Sequence, residues 1–125
     1  MLDPAKEYSR TEIKNLVGGE LQSYLPQKDG VILAGCFNLE YNPDAPKEIQ
    51  AGKLLKVVKK AKLLSMQQNN AFPVFLKEKK KDRKYHFKGY FRCVGHSTLK
   101  AVLEMAEEKS GRHSELSYIL YLEKV

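Results

Sequence analysis

A chain of 125 residues is the size of one ordinary domain, and 42% hydrophobic with 30% charged residues excludes wholesale disorder. No apolar run approaches the ~20 residues of a membrane-spanning helix, MLDPAKEYSR lacks the basic-then-apolar layout of a secretory signal, and two cysteines are too few for a disulfide framework or a cysteine-rich zinc site. These features predict an intracellular, soluble single domain and no membrane, and the net charge of +7 suits an anionic partner.

In chain order, residues 1–10 read as a loose lead-in and 11–125 as a single domain. Thr11 to Val17 has room for one short helical turn that stops at Gly18-Gly19, because paired glycines destabilise a helix interior. QSYLPQKDG reads as loop with Asp29-Gly30 as its turn. Val31 to Phe37 is short and continuously apolar, the pattern of a strand buried on both faces. It runs into NLEYNPDAP, where Asn42-Pro43 and Ala45-Pro46 exclude regular structure. Leu54, Val57, Val58, Ala61, Leu64 and Ser65 share one helical face, with Lys53, Lys56, Lys59 and Lys60 on or beside the other, which predicts an amphipathic helix of about four turns.

Ala71 to Leu76 predicts a strand, with Pro73 at an edge or strand start. Lys77 to Lys84 is a charged connection. From Tyr85 to Cys93 the odd positions are Tyr, Phe, Gly, Phe, Cys and the even ones His, Lys, Tyr, Arg; this period of two is the clearest strand signal in the chain. Ser97 or Thr98 is placed to cap a helix that buries Leu99, Val102, Leu103 and Ala106, and Gly111 to stop it. Leu116, Tyr118, Leu120 and Leu122 alternate into a closing strand. The fold class is α+β, with four or more strands, two substantial helices and one long basic hairpin.

The charge is concentrated. Residues 47–84 carry +9, whereas 1–30 carry −1, 31–46 carry −2 and 85–125 carry +1. A localised cationic field attracts polyanions, and nucleic acid is the commonest inside cells; the bland alternative is a lysine-rich solvated face. Lys53, Lys56, Lys59 and Lys60 on the helix, and Lys79, Lys80, Lys81, Arg83 and Lys84 around the hairpin tip, are the candidate contacts to a nucleic-acid backbone. Catalysis has little to stand on. His86, His96 and His113 have no metal-ligand spacing, Cys36 and Cys93 fall on apolar positions, and no nucleophile or phosphate-loop motif is present, so the chain reads as a binder without cofactor or metal.

In FNLEYNPDAP, Asn38, Asn42 and Asp44 offer groups suited to a base edge, and Phe37 and Tyr41 offer stacking faces. The same composition is ordinary loop grammar. Tyr90 and Arg92, on the polar face of their strand, are second candidates against a half-exposed sheet face.

GGELQSYLP, then a buried strand running into CFNLEYNPDAP, a helix ending at Gln67, FPVFLK and YHFKGYFRCVG occur in an order that resembles the SRA-like modified-base readers of McrA-type (ScoMcrA-like) HNH restriction endonucleases. The likeness covers roughly residues 10–95, and the HNH portion is absent. It implies a PUA/SRA-like curved sheet or open β-barrel with flanking helices. It also implies binding of 5-methyl- or 5-hydroxymethylcytosine in duplex DNA by base flipping, with cleavage left to a separate nuclease domain or subunit. The implied pocket is Phe37, Asn38, Tyr41, Asn42, Asp44 and Tyr90, the last in the position of the family's Gly-Tyr strand. Two other functions remain open: an RNA-binding module, because the PUA-like folds that the resemblance implies also serve RNA, and a protein-interaction domain with an acidic partner.

Overall fold

The longest alternating run makes the longest strand, and the sheet is assembled on it. The computed structural model describes all 125 residues as β1 (Glu7–Ser9), α1 (Arg10–Val17), β2 (Gln27–Lys28), β3 (Val31–Ile32), β4 (Gly35–Asn38), β5 (Glu48–Gly52), α2 (Leu55–Ser65), β6 (Phe72–Lys77), β7 (Lys84–Ser97), α3 (Lys100–Ser110) and β8 (Leu116–Lys124). One sheet runs β4-β6-β7-β8-β5, with β1 added on β7, and β2-β3 is a separate hairpin. Only β4 and β6 pair in parallel. The sheet is strongly curled into a half-barrel. Register shifts at Val74/Phe75, Cys93/Gly95 and Ala51/Gly52 contribute to the curl, because each extra residue bends its strand and adds twist.

One of these bulges does more. Tyr85, Phe87, Phe91 and Cys93 are all odd-numbered and all buried, yet Tyr85 and Phe87 belong to one core and Phe91 and Cys93 to another. Val74 pairs with Gly89 and Phe75 with Phe87, so Lys88 is the inserted residue and Gly89 takes φ 109°. The insertion exchanges the two faces of β7 halfway along. The smaller core holds Tyr8, Ile13 of α1, Cys36, Phe75, Tyr85 and Phe87; the larger holds Ala61 and Leu64 of α2 with Phe37, Val74, Phe91 and Leu120. With a helix on each face, β4 and β6 are buried on both sides, as the continuous apolar runs predict.

The helix starts and stops follow local chemistry. Ser9 and Glu12 form a reciprocal capping box at the start of α1, and Gly18 ends it at φ 89°. Asp29 (φ 53°) and Gly30 (φ 81°) make the two-residue turn of the β2-β3 hairpin. Gly111 closes α3 in the left-handed conformation. Pro73 lies one residue before Val74, where pairing with β4 begins, so it is a strand-start proline on an interior strand.

Several expectations need correction. Residues 7–9 are a strand on β7 rather than part of a loose lead-in. The apolar run 31–37 is two strands, broken where Leu33 N–H donates to the Pro26 carbonyl and Cys36 N–H to that of Tyr24. β5 gave no signal because EIQAG is short and lacks alternation. α2 spans 11 residues, three turns, and Leu54 precedes it exposed. Neither Ser97 nor Thr98 caps α3; its N-cap is Leu99, also exposed, and the one buried residue of the helix is Glu107, whose carboxylate accepts from Leu116 N–H at 3.1 Å. No helix is long and apolar enough to cross a membrane.

Candidate nucleic-acid interface

The β6-β7 turn is shaped by its acids and leaves its cations free. Asp82 accepts from Lys79 N–H at 3.0 Å, and Lys77 Nζ donates to the Asp82 carbonyl at 2.9 Å. Glu40 accepts from Lys80 N–H at 2.7 Å and ties the turn to the 39–47 loop. Lys79, Lys80, Lys81, Arg83 and Lys84 are exposed and have no ion-pair partner within 4.0 Å. Lys53, Lys56 and Lys59 are likewise exposed and unpaired. Lys60 is different. Its ammonium meets Glu20 at 2.7 Å, Ser23 Oγ at 3.0 Å and the Leu25 carbonyl at 2.8 Å, so it fastens α2 to the 20–25 loop and is removed from the backbone-contact set.

The two cationic groups are joined through Tyr41. Lys80 Nζ stands 5.3 Å from the centre of the Tyr41 ring and the Arg112 guanidinium carbon 4.6 Å from it, both within cation–π range. Arg112 also makes long hydrogen bonds to the carbonyls of Tyr41 (3.4 Å) and Gln50 (3.3 Å). Its other terminal nitrogen lies 3.2 Å from where a side chain on residue 52 would begin, and Gly52 leaves that space open. Burial draws the Arg112 pKa down from its usual value, and the neighbouring Tyr41 side chain raises that of Lys80. Lys80, Tyr41, Arg112, Gly52 and Lys53 therefore form a continuous strip from the hairpin tip to the start of α2.

Beside the turn lies an open cavity of about 630 Å³ lined by Leu39, Leu76, Lys77, Arg83, Lys84, His86 and Lys88, with Glu7, Glu78 and Asp82. Leu39 and Leu76 give it an apolar wall and His86 a planar ring. His86 faces Glu7 across β1-β7 at 3.5 Å. Burial lowers the Lys77 pKa, as expected of an ammonium partly withdrawn from water.

The six residues expected to form a base pocket do not converge. Phe37 is 2% exposed and belongs to the larger core, packed edge-on to Tyr24 at 6.4 Å, so no ligand reaches its ring. Asn38 Oδ1 accepts from Tyr41 N–H at 2.8 Å. Asn42 is buried and spent internally: Nδ2 donates to the Asn38 carbonyl and Oδ1 accepts from Gln50 N–H at 2.7 Å. Asp44 pairs with Lys109 at 2.8 Å, which holds its carboxyl below the usual range, and it borders a second cavity of about 240 Å³ under α3. Tyr90 follows the bulge, so it stands against Phe87 at 5.6 Å and not with the loop. Tyr41 alone of the six is both exposed and on the cationic strip.

Cys36 and Cys93 are buried and free. Burial pushes the Cys36 thiol up to about 12 and raises that of Cys93, so both stay protonated at neutral pH. The sequence reading missed Arg112, His86 and Lys88 as site residues. The even-numbered alternation of β7 marks His86 and Lys88 as outward-facing, but nothing local brings Arg112 to Tyr41, 71 residues away. Comparison with protein-family models, curated proteins and solved structures finds no match to this chain.

Proposed function

We propose that this domain binds duplex DNA without catalysing a reaction and reads a modified cytosine there, the role that accompanies a PUA/SRA-like open barrel. The observation that carries the reading is the unneutralised charge: of the nine cations expected at a nucleic-acid backbone, eight have no acidic partner. Exposed cations at this density are screened in free solution and release counterions when phosphates take their place. Backbone contacts of that kind orient a duplex without reading its sequence.

Reading a base needs a receptacle. The 630 Å³ recess beside the turn is within the range of small-molecule sites, and its leucine walls, imidazole ring and rim of lysines suit a planar polar group attached to a phosphate chain. Tyr41, outside that recess, supplies the exposed ring of the cationic strip. A 5-methyl group adds about 0.8 kcal/mol of apolar burial, so preference for 5-methylcytosine over cytosine is expected to be about fourfold.

Fluorescence polarisation with plain, 5-methylcytosine and 5-hydroxymethylcytosine duplexes tests the proposal, with an RNA hairpin alongside. A modified duplex binds tightest if it is right. Equal affinity for all three duplexes removes base reading and leaves general DNA binding; preference for the hairpin assigns the surface to RNA. No binding at low salt overturns the nucleic-acid reading and leaves the acidic-protein alternative. In the same assay, K79Q/K80Q/K81Q is expected to weaken every duplex alike and to flatten the log–log salt dependence by up to about three units. Lost preference for the modified base with unchanged affinity would contradict the phosphate-gripping role of these lysines.

A further inference from the structure

Leu54 and Leu55 are 68% and 69% exposed at the start of α2, side by side, although the helix they begin is anchored in the larger core by Ala61 and Leu64. Two adjacent large apolar side chains held out by a rigid helix are costly in water, and nothing in the molecule covers them. Other exposed apolar residues have different surroundings. Leu99 and Met105 on α3 share their helix with Glu104, Glu107 and Glu108. Leu54 and Leu55 lie in a stretch, residues 49–77, that contains no Asp or Glu and six lysines. Lys53 and Lys56 flank the pair directly, Lys59 follows one turn later, and all three are exposed and unpaired. On the N-terminal side the pair continues through Gly52 to Arg112 and Tyr41.

We infer that Leu54 and Leu55 are an apolar wedge that enters the minor groove of a bound duplex and partly unstacks one base step, while Lys53, Lys56 and Lys59 hold the phosphates on either side. The inference rests on the DNA-binding reading above and adds a deformation of the DNA to it. Charge complementarity selects the occupant. A neutral or basic protein surface would leave three cations facing no counter-charge, whereas a duplex offers phosphates on both sides of a groove and apolar base faces between them. Side chains of this type inserted from the minor groove kink DNA by roughly 20–90° toward the major groove, and the flanking lysines meet the phosphates that border the opened step.

The test compares wild type with L54Q/L55Q on a duplex carrying 2-aminopurine, whose fluorescence rises when its stacking is lost. Both positions are exposed, so the variant is expected to fold, and an unchanged melting temperature checks that it has. Wild type should raise the fluorescence. The variant should lose the rise and bind about tenfold more weakly, with its salt dependence unchanged because no cation has been removed. Equal affinity and equal fluorescence in the two proteins would overturn the wedge and leave the DNA-binding reading standing. Absence of duplex binding by wild type would overturn both. Phosphatidylserine–phosphatidylcholine vesicles provide the last arm: vesicle binding that the substitution abolishes, with duplex affinity untouched, would overturn the wedge by assigning the leucines to a lipid surface.

Discussion

Glu20 is the acid that answers the lysines of α2, and its chemistry is a matter of competing terms. Partial burial works against its charge, but hydrogen bonds from Lys60 Nζ and Gln27 N–H, each at 2.7 Å, outweigh it and hold the carboxyl down to about 2. The folded pKa lies below the ordinary value of 4.5, so the stabilisation is complete above about pH 4.5 and is lost as pH falls toward 2. Glu20→Gln is therefore expected to destabilise the protein at pH 7 by about 1 kcal/mol, a figure already reduced for the solvent that reaches the pair. It should also flatten the decline of stability between pH 5 and 2. Urea unfolding across that range measures both, and parallel profiles for wild type and variant would show that the contact contributes nothing. No local pattern marks Glu20: it lies 40 residues from Lys60, and GGE reads as loop.

The loop between β4 and β5 shows how one composition serves two purposes. Asn38 and Asn42 have the donors and acceptors of a base reader, and in the folded chain they spend them on Tyr41 N–H, the Asn38 carbonyl and Gln50 N–H. The decisive partner is Gln50, a residue of a strand that carried no signal of its own. Asn42→Ala leaves a buried N–H of β5 without an acceptor, which costs about 1–3 kcal/mol. Tyr41→Ala, at an exposed position, should change stability by less than about 0.5 kcal/mol and weaken duplex binding instead. Chemical denaturation paired with polarisation separates the two roles, and an Asn42→Ala protein as stable as wild type would return that amide to the ligand-reading set. β7 repeats the lesson in another form. Its alternation is legible from Tyr85 to Cys93 and puts Tyr90 on the more polar face, but the strand runs on to Ser97 and the bulge at Lys88 changes which core the odd residues enter. A face can be read from period two; which face it is depends on an insertion that the period does not reveal.

At the scale of the whole molecule, the sheet carries two cores, and the smaller one depends on a segment that reads as dispensable. EYS is too short to display a period, so its pairing with Lys84, Tyr85 and His86 of β7 left no trace in the sequence. The α+β class, the amphipathic α2 and the closing β8 were legible because their patterns repeat, and β6 because its apolar run is unbroken, whereas the run 31–37 did not show that it divides into β3 and β4. Tyr8 belongs to the other kind. It is 2% exposed, packs edge-on to Phe75 at 5.8 Å, and its hydroxyl accepts from Asp3 N–H at 2.7 Å. Together with Ile13 it closes the face of β6 and β7 that α2 does not reach. Tyr8→Ala should cost about 3–5 kcal/mol, the range for emptying a large aromatic site in a core, and lower the melting temperature by more than about 10 °C. Circular dichroism melts provide the measurement. Removal of residues 1–9 should cost at least as much, since it takes the strand and the capping serine of α1 as well as the ring. A truncated protein that melted with wild type would mean that the smaller core closes without its first strand, and that the first nine residues are a lead-in after all.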